Sequence, residues 1–158
     1  MPELADYTDD LIGWWAERAS LPMYDDGVIY YKAPKSHYRK VFKKLERKTG
    51  LNFKRVKKID NAEMICEIEN IDDGANGYAY FNTKFKNKWY LTVDGKSRYY
   101  RKTMAHEIGH ALGLDHPDHS RTDTIMSYGS DRWKRENEFF RDVDIAAISQ
   151  IFPVNDLT

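Results

Sequence analysis

Apolar positions in this chain follow two periods. Tyr38, Val41, Phe42 and Leu45 fall at i, i+3, i+4 and i+7, one stripe backed by Arg39, Lys40, Lys43 and Lys44. The spacing predicts a helix with Ser36 as N-cap and Gly50 as the glycine that closes its last turn. Short runs rich in β-branched and aromatic residues predict strands at 28–33, 52–56, 63–68, 78–81 and 89–93. Asp72-Asp73-Gly74-Ala75-Asn76-Gly77 between the third and fourth of these reads as a turn. A further helix is expected from about Ser97 to Leu112, with Met104, Ile108, Ala111 and Leu112 on its apolar faces. A last one is expected over 142–151, with acids in its first turn and Pro153 closing it. Thr8 is expected to cap a short helix through about Arg18, with Leu11, Ile12, Trp14 and Trp15 as its apolar surface. The polar stretch 117–137 reads as loop.

Composition narrows the class. At 158 residues, with 41% hydrophobic residues and eleven Tyr, seven Phe and four Trp, the chain suits one domain with a sizeable core. No apolar run approaches the roughly 20 residues that span a bilayer. The start, MPELADYTDD, lacks the basic and apolar regions of a secretory signal, which leaves secreted and cytoplasmic locations both open. The single cysteine, Cys66, excludes an intrachain disulfide and any cysteine-rich zinc module, and its apolar setting marks it as a core residue.

Net charge is zero, but its distribution is uneven. Residues 32–58 hold twelve Lys or Arg against one acid, Glu46. This reads as a solvated helix face with neighbouring turns; its sharper reading is a patch for an anionic partner such as nucleic acid or an acidic polypeptide.

The chemistry concentrates in His106-Glu107-Ile108-Gly109-His110-Ala111-Leu112-Gly113-Leu114-Asp115-His116. Histidines four apart on a helix share a face, so His106 and His110 can aim at one point. A third neutral nitrogen would complete a zinc site with its fourth position open, as catalysis requires. Glu107, beside the first ligand, can act as general base on a water at the metal. A straight helix would carry His116 roughly 9 Å past His110. Gly113 can take the left-handed conformation that folds the chain back and lets His116 close the site. His119 is the rival third ligand, without that spacing, and His37 reads as a surface residue.

HEIGHALGLDHP resembles the zinc-binding consensus of the metzincin peptidases, with Pro117 in the form seen in serralysins. Thr124-Ile125-Met126-Ser127-Tyr128-Gly129 is similar to the clan's methionine-bearing turn beneath the zinc. The resemblance implies His106, His110 and His116 as ligands of one catalytic zinc, Glu107 as base and Tyr128 as a switchable fifth ligand and oxyanion stabiliser. Outside the resemblance, Tyr128 reads as a packed aromatic of the turn. The resemblance also implies that Gly77-Tyr78-Ala79-Tyr80 is an edge strand to which substrate pairs as one more strand.

The chain departs from the resemblance as well. Only His37 and His119 lie outside the motif, so the second, structural zinc of matrixins is not expected. Neither a cysteine switch nor the glycine-rich calcium repeats that follow serralysin catalytic domains are expected within these 158 residues. Asp72, Asp73 and Asn76 fit a plain turn better than a calcium site.

The expectation is an α+β, zincin-like, two-lobed single domain over 1–158. The upper lobe, about 1–113, holds a mixed sheet, a backing helix and the active-site helix. The lower lobe, about 114–158, holds the Met-turn and final helix. The expected function is a monomeric zinc-dependent endopeptidase acting on polypeptides through a metal-activated water. The alternative is a zinc-stabilised, non-catalytic binding or structural module acting through the basic 32–58 region.

Overall fold

The computed structural model describes residues 11–12, 27–82, 88–97, 99–117, 123–127 and 139–152. Among them are five strands and three α-helices. In chain order these are β1 (Val28–Lys32), α1 (Ser36–Thr49), β2 (Asn52–Arg55), a short 3-10 turn (Ile59–Asn61), β3 (Met64–Glu69), β4 (Gly77–Asn82), β5 (Lys88–Asp94), α2 (Tyr100–Ala111) and α3 (Asp142–Ile151). The strands form one mixed sheet in the order β2-β1-β3-β5-β4. The first three contacts in that order are parallel, while β4 runs antiparallel to β5 and forms one edge. This is the mixed α+β class that the interleaved periods predict.

Alternation along the strands decides which face is covered. Ile29 and Tyr31 of β1, Met64 and Cys66 of β3, and Trp89, Leu91 and Val93 of β5 are buried in one cluster with Tyr38, Phe42 and Leu45 of α1 and Met104, Ala105 and Ile108 of α2. The Tyr31 and Phe42 rings stack with centroids 3.9 Å apart. Phe42 and Leu45, both fully buried, each contribute roughly 2 kcal/mol of apolar burial. Burial also pushes the Cys66 thiol far above its ordinary range, in keeping with an inert core cysteine. The outer side of α1 stays exposed and carries Lys40, Lys43, Lys44, Arg47 and Lys48; Lys54, Arg55, Lys57 and Lys58 continue this surface past the helix.

Several boundaries differ from the sequence reading. Helix α1 starts at Ser36 itself, with Lys35 as N-cap and no side-chain capping bond, so Ser36 is not the cap. At its other end Gly50 has φ 79° and donates to the Glu46 carbonyl, as the C-cap position requires. Helix α2 begins at Tyr100 rather than near Ser97, because the Ser97 hydroxyl accepts from the Tyr99 N–H in a turn ahead of the helix. Of the helix expected over 8–18, only Leu11 and Ile12 are described. They lie in a turn and in an isolated bridge to Leu114. The Asp115 N–H donates to the Leu11 carbonyl at 2.6 Å, which fastens the segment that leads to His116.

Candidate metal centre

Helix α2 lies against β4 and β5, and its second half carries the chemistry. His106 and His110, one turn apart, present their rings to the same side, with ring centroids 4.8 Å apart. The helix then ends in a Schellman turn: Leu114 N–H donates to the Gly109 carbonyl at 2.9 Å and Gly113 N–H to the His110 carbonyl at 3.0 Å. Gly113 has φ 102°, the left-handed backbone foreseen for it. The reversal brings His116 Nε2 to 3.0 Å from His106 Nε2 and 3.1 Å from His110 Nε2.

Each ring's far nitrogen shows which face it offers. His106 Nδ1 lies 2.9 Å from the Ile125 carbonyl and His110 Nδ1 lies 2.8 Å from the Leu114 carbonyl. A carbonyl accepts only, so both Nδ1 atoms carry the proton and both Nε2 lone pairs face inward. Burial, above all, lowers the pKa of His106 to about 4 and of His110 to about 2, and lowers that of His116 as well. The rings are therefore neutral near pH 7. Neutral imidazoles with converging lone pairs repel unless a cation sits between them. Nitrogens on one tetrahedral zinc at roughly 2.0–2.1 Å lie about 3.3–3.4 Å apart. The two closest separations here approach that value, and all three ligand atoms fall within 4.8 Å of one another. The donor set thus fits a zinc ion, with carbonyls behind two ligands as metal histidines require.

Glu107 is buried beside this cluster, and burial pushes its carboxyl up to about 8. It faces the edge strand: a Cβ placed on Gly77 would stand 3.4 Å from Glu107 Oε1, 2.6 Å from Thr103 Cγ2 and 2.8 Å from the Thr92 carbonyl oxygen. On the far side of α2, a Cβ on Gly109 would meet Met126 Sδ at 2.5 Å. Met126 is fully buried against α2.

Helix α3 anchors the methionine turn. Asp144 Oδ2 accepts from the Ile125 N–H at 2.9 Å and from the Arg141 N–H at 2.8 Å, while the Thr124 hydroxyl donates to Oδ1. Burial raises the Asp144 carboxyl to about 6 against the lowering effect of these bonds. The sequence reading placed this acid at a helix start and missed its burial. It also missed the approach of Gly77 to Glu107. Neither leaves a local signal, since the partners lie 19 and 30 residues away. Tyr128, His119 and most of the expected loop at 117–137 lie outside the described residues. Among the described residues, the three histidines are the one cluster suited to a metal. No described helix is long and apolar enough to cross a membrane.

This sheet, helix and histidine cluster are those of a metallopeptidase-type domain. Residues 70–153, more than half of the chain, match the matrixin peptidase family, and the chain belongs to that family of metzincin-type zinc peptidases. Serralysin A of Dickeya chrysanthemi is 36% identical over 39% of this chain and 18% of its own length. Serralysin C of the same organism is 31% identical over 54% of this chain and 25% of its own length. The chain thus spans a quarter or less of those relatives. A chain of the GM1-bound form of the ECX AB5 holotoxin superposes with a TM-score of 0.59, covering 82% of this chain and 81% of that chain at 17% identity, a likeness of fold alone.

Proposed function

We propose that this chain is a zinc-dependent endopeptidase domain that hydrolyses polypeptides, with His106, His110 and His116 as zinc ligands. The observation that carries the reading is the convergence of three neutral imidazole nitrogens beside the buried carboxyl group of Glu107. When bound, zinc would supply Lewis acidity toward the scissile carbonyl and the attacking water. Glu107 takes the water's proton and delivers it to the leaving amine nitrogen, a double duty that its place beside the first histidine allows. The substrate lies along β4 in extended form, its backbone paired to the sheet edge. Tyr128, two positions past Met126 in sequence, steadies the oxyanion on this proposal. Residues from about Leu114 onward, with the methionine turn and α3, form the lower wall of a two-lobed cleft.

The test sets zinc content beside cleavage of a mixed peptide library, for wild type and Glu107→Ala. The reading expects one zinc per chain in both proteins and chelator-sensitive cleavage in wild type alone. Equal cleavage by the variant would remove Glu107 from the mechanism, and zinc without cleavage in wild type would remove the peptidase.

A second reading has one observation in its favour, the exposed cationic surface of α1 and the segment after it. Under it, zinc stabilises a module that binds polyanions, and binding falls steeply with salt whether or not Glu107 is intact.

A further inference from the structure

The two edges of the sheet differ. At one, β2 is four residues long and presents Lys54 and Arg55, both exposed; shortness and charge of this kind keep further strands away. At the other, β4 runs Gly77-Tyr78-Ala79-Tyr80-Phe81-Asn82 without a charged residue. Tyr78 and Tyr80 stand on the face turned away from α1 and α2. They are 42% and 49% exposed, two of the three large hydrophobic residues that are exposed among the described ones.

Tyr80 has a ring behind it. Register sets it opposite Tyr90 of β5, and the two rings lie 11° from parallel with centroids 5.2 Å apart. That separation is close to the ~4.8 Å between neighbouring strands, so the rings stack in the direction in which strands add. Tyr90 covers one face of the Tyr80 ring, and the other face looks past the sheet edge. The stack also holds the ring before anything binds, so less side-chain entropy remains to be lost on binding. Tyr78 differs, since it lies opposite Thr92 rather than a ring, and its hydroxyl donates to Asp73.

Whichever way a peptide runs along β4, the residue that pairs opposite Tyr80 turns its side chain to this outer face, one strand spacing from the ring. We infer that the open face of Tyr80, backed by Tyr90, is a subsite for an aromatic side chain of the substrate, borne by the residue that pairs opposite Tyr80. The incoming ring continues the stack from Tyr80 as Tyr80 continues it from Tyr90. A flat ring covers the phenol face more fully than a branched aliphatic chain does, and stacking adds to the apolar contact. A guanidinium could stack as well, but β4 offers it no counter-charge. Residues one place to either side turn toward α2 and the histidine cluster, so this preference is separate from that of the cleft. The inference rests on the peptidase reading and on the pairing of substrate with β4.

The experiment scans Phe, Leu, Arg and Ala through each position of an extended peptide that carries one cleavable bond. Cleavage is measured with zinc-loaded wild type, Tyr80→Phe and Tyr80→Leu. Binding of the same peptides is measured with zinc-loaded Glu107→Ala and Glu107→Ala/Tyr80→Leu, which report affinity without turnover. Every comparison is a ratio between two peptides on one protein, so a general loss of rate or of strand pairing in a variant cancels. At one position wild type should favour Phe over Ala by roughly threefold to tenfold in kcat/KM, with Leu between them. Tyr80→Phe should keep that ratio. Tyr80→Leu should bring Phe level with Leu there and leave the ratios at the adjoining positions unchanged. The dissociation constants should show the same Tyr80-dependent step. A scan in which no position's Phe preference depends on Tyr80, or in which Arg leads at the position that does, overturns the subsite and leaves the peptidase standing. No cleavage by wild type, with the Tyr80-dependent binding step present, overturns the peptidase reading and leaves a peptide-binding edge. Absence of both overturns both.

Discussion

His106 and Asp144, on different helices, grip one residue between them. The Ile125 carbonyl meets His106 Nδ1 at 2.9 Å, and the Ile125 N–H meets Asp144 Oδ2 at 2.9 Å. The orientation of a ring at the metal centre thus depends on a carboxylate that does not touch the metal centre. Asp144→Ala leaves the Ile125 and Arg141 N–H groups and the Thr124 hydroxyl without their acceptor. It is expected to cost about 3 kcal/mol in the metal-free protein and to weaken zinc binding by roughly tenfold to a hundredfold. Denaturant titration of the stripped protein and competition against a zinc-binding dye read the two effects separately.

Gly77 is the position where the edge strand comes closest to Glu107. A methyl group there would overlap Thr103 Cγ2 and the Thr92 carbonyl oxygen, at 2.6 and 2.8 Å. Gly77→Ala should therefore push β4 outward, destabilise the fold by roughly 1–3 kcal/mol and lower kcat more than it raises KM, with zinc content unchanged. Adding Thr103→Ala removes one of the two overlaps, and the double variant should recover part but not all of the lost rate.

The sign of a substitution at Gly109 should depend on Met126. Alanine is favoured over glycine inside a helix by roughly 1 kcal/mol, yet its Cβ would sit 2.5 Å from Met126 Sδ. Gly109→Ala alone should destabilise by about 1–2 kcal/mol. In a Met126→Ala background the same change meets only Phe140 Cε1, at 3.4 Å, and should stabilise. Four melting curves complete the cycle, and the same sign in both backgrounds would show that the packing of α2 on the methionine does not control this position.

The carboxyl of Glu107, raised by burial from an ordinary value of 4.5 to about 8, makes stability depend on pH in a defined direction. A raised folded-state pKa means that the folded protein holds the proton more tightly, so its contribution is complete in acid and is lost as pH rises toward 8. Between pH 6.5 and 8 the metal-free wild type should lose about 2 kcal/mol relative to Glu107→Gln. The buried histidines pull the other way across their own range, but they are common to both proteins and cancel in the difference. Parallel curves for the two proteins over that interval would contradict the burial of an uncompensated carboxyl.

The parts of the molecule that were legible beforehand are those with local patterns. Helix α3 covers the predicted 142–151 span, because acids at its start and an apolar repeat within it mark both its place and its period. The turn at Gly113 follows from the spacing of the third histidine. Less legible were groups whose role depends on a partner far along the chain. Ser36 has the chemistry of a cap, but the backbone enters the helix one residue earlier, at Lys35. Lys88, one residue ahead of the strand expected at 89–93, is buried, and its Nζ donates to the carbonyls of Asp60 and Ala62 at 3.0 and 2.5 Å. Glycine at 77 reads as the end of a turn, while its reason lies across the sheet edge in Thr103 and Glu107.

The exposed lysines and arginines of α1 and the residues after it give the molecule an electrical polarity that its net charge hides. Twelve cations and one acid occupy 32–58; the rest of the chain holds thirteen cations and twenty-four acids. Zero net charge is here a sum of opposites rather than neutrality. Such a protein should be held by a cation exchanger at neutral pH despite its zero net charge. At low ionic strength its basic surface should draw acidic surfaces, those of other copies included, and a modest amount of salt, by screening that attraction, should make it more soluble rather than less.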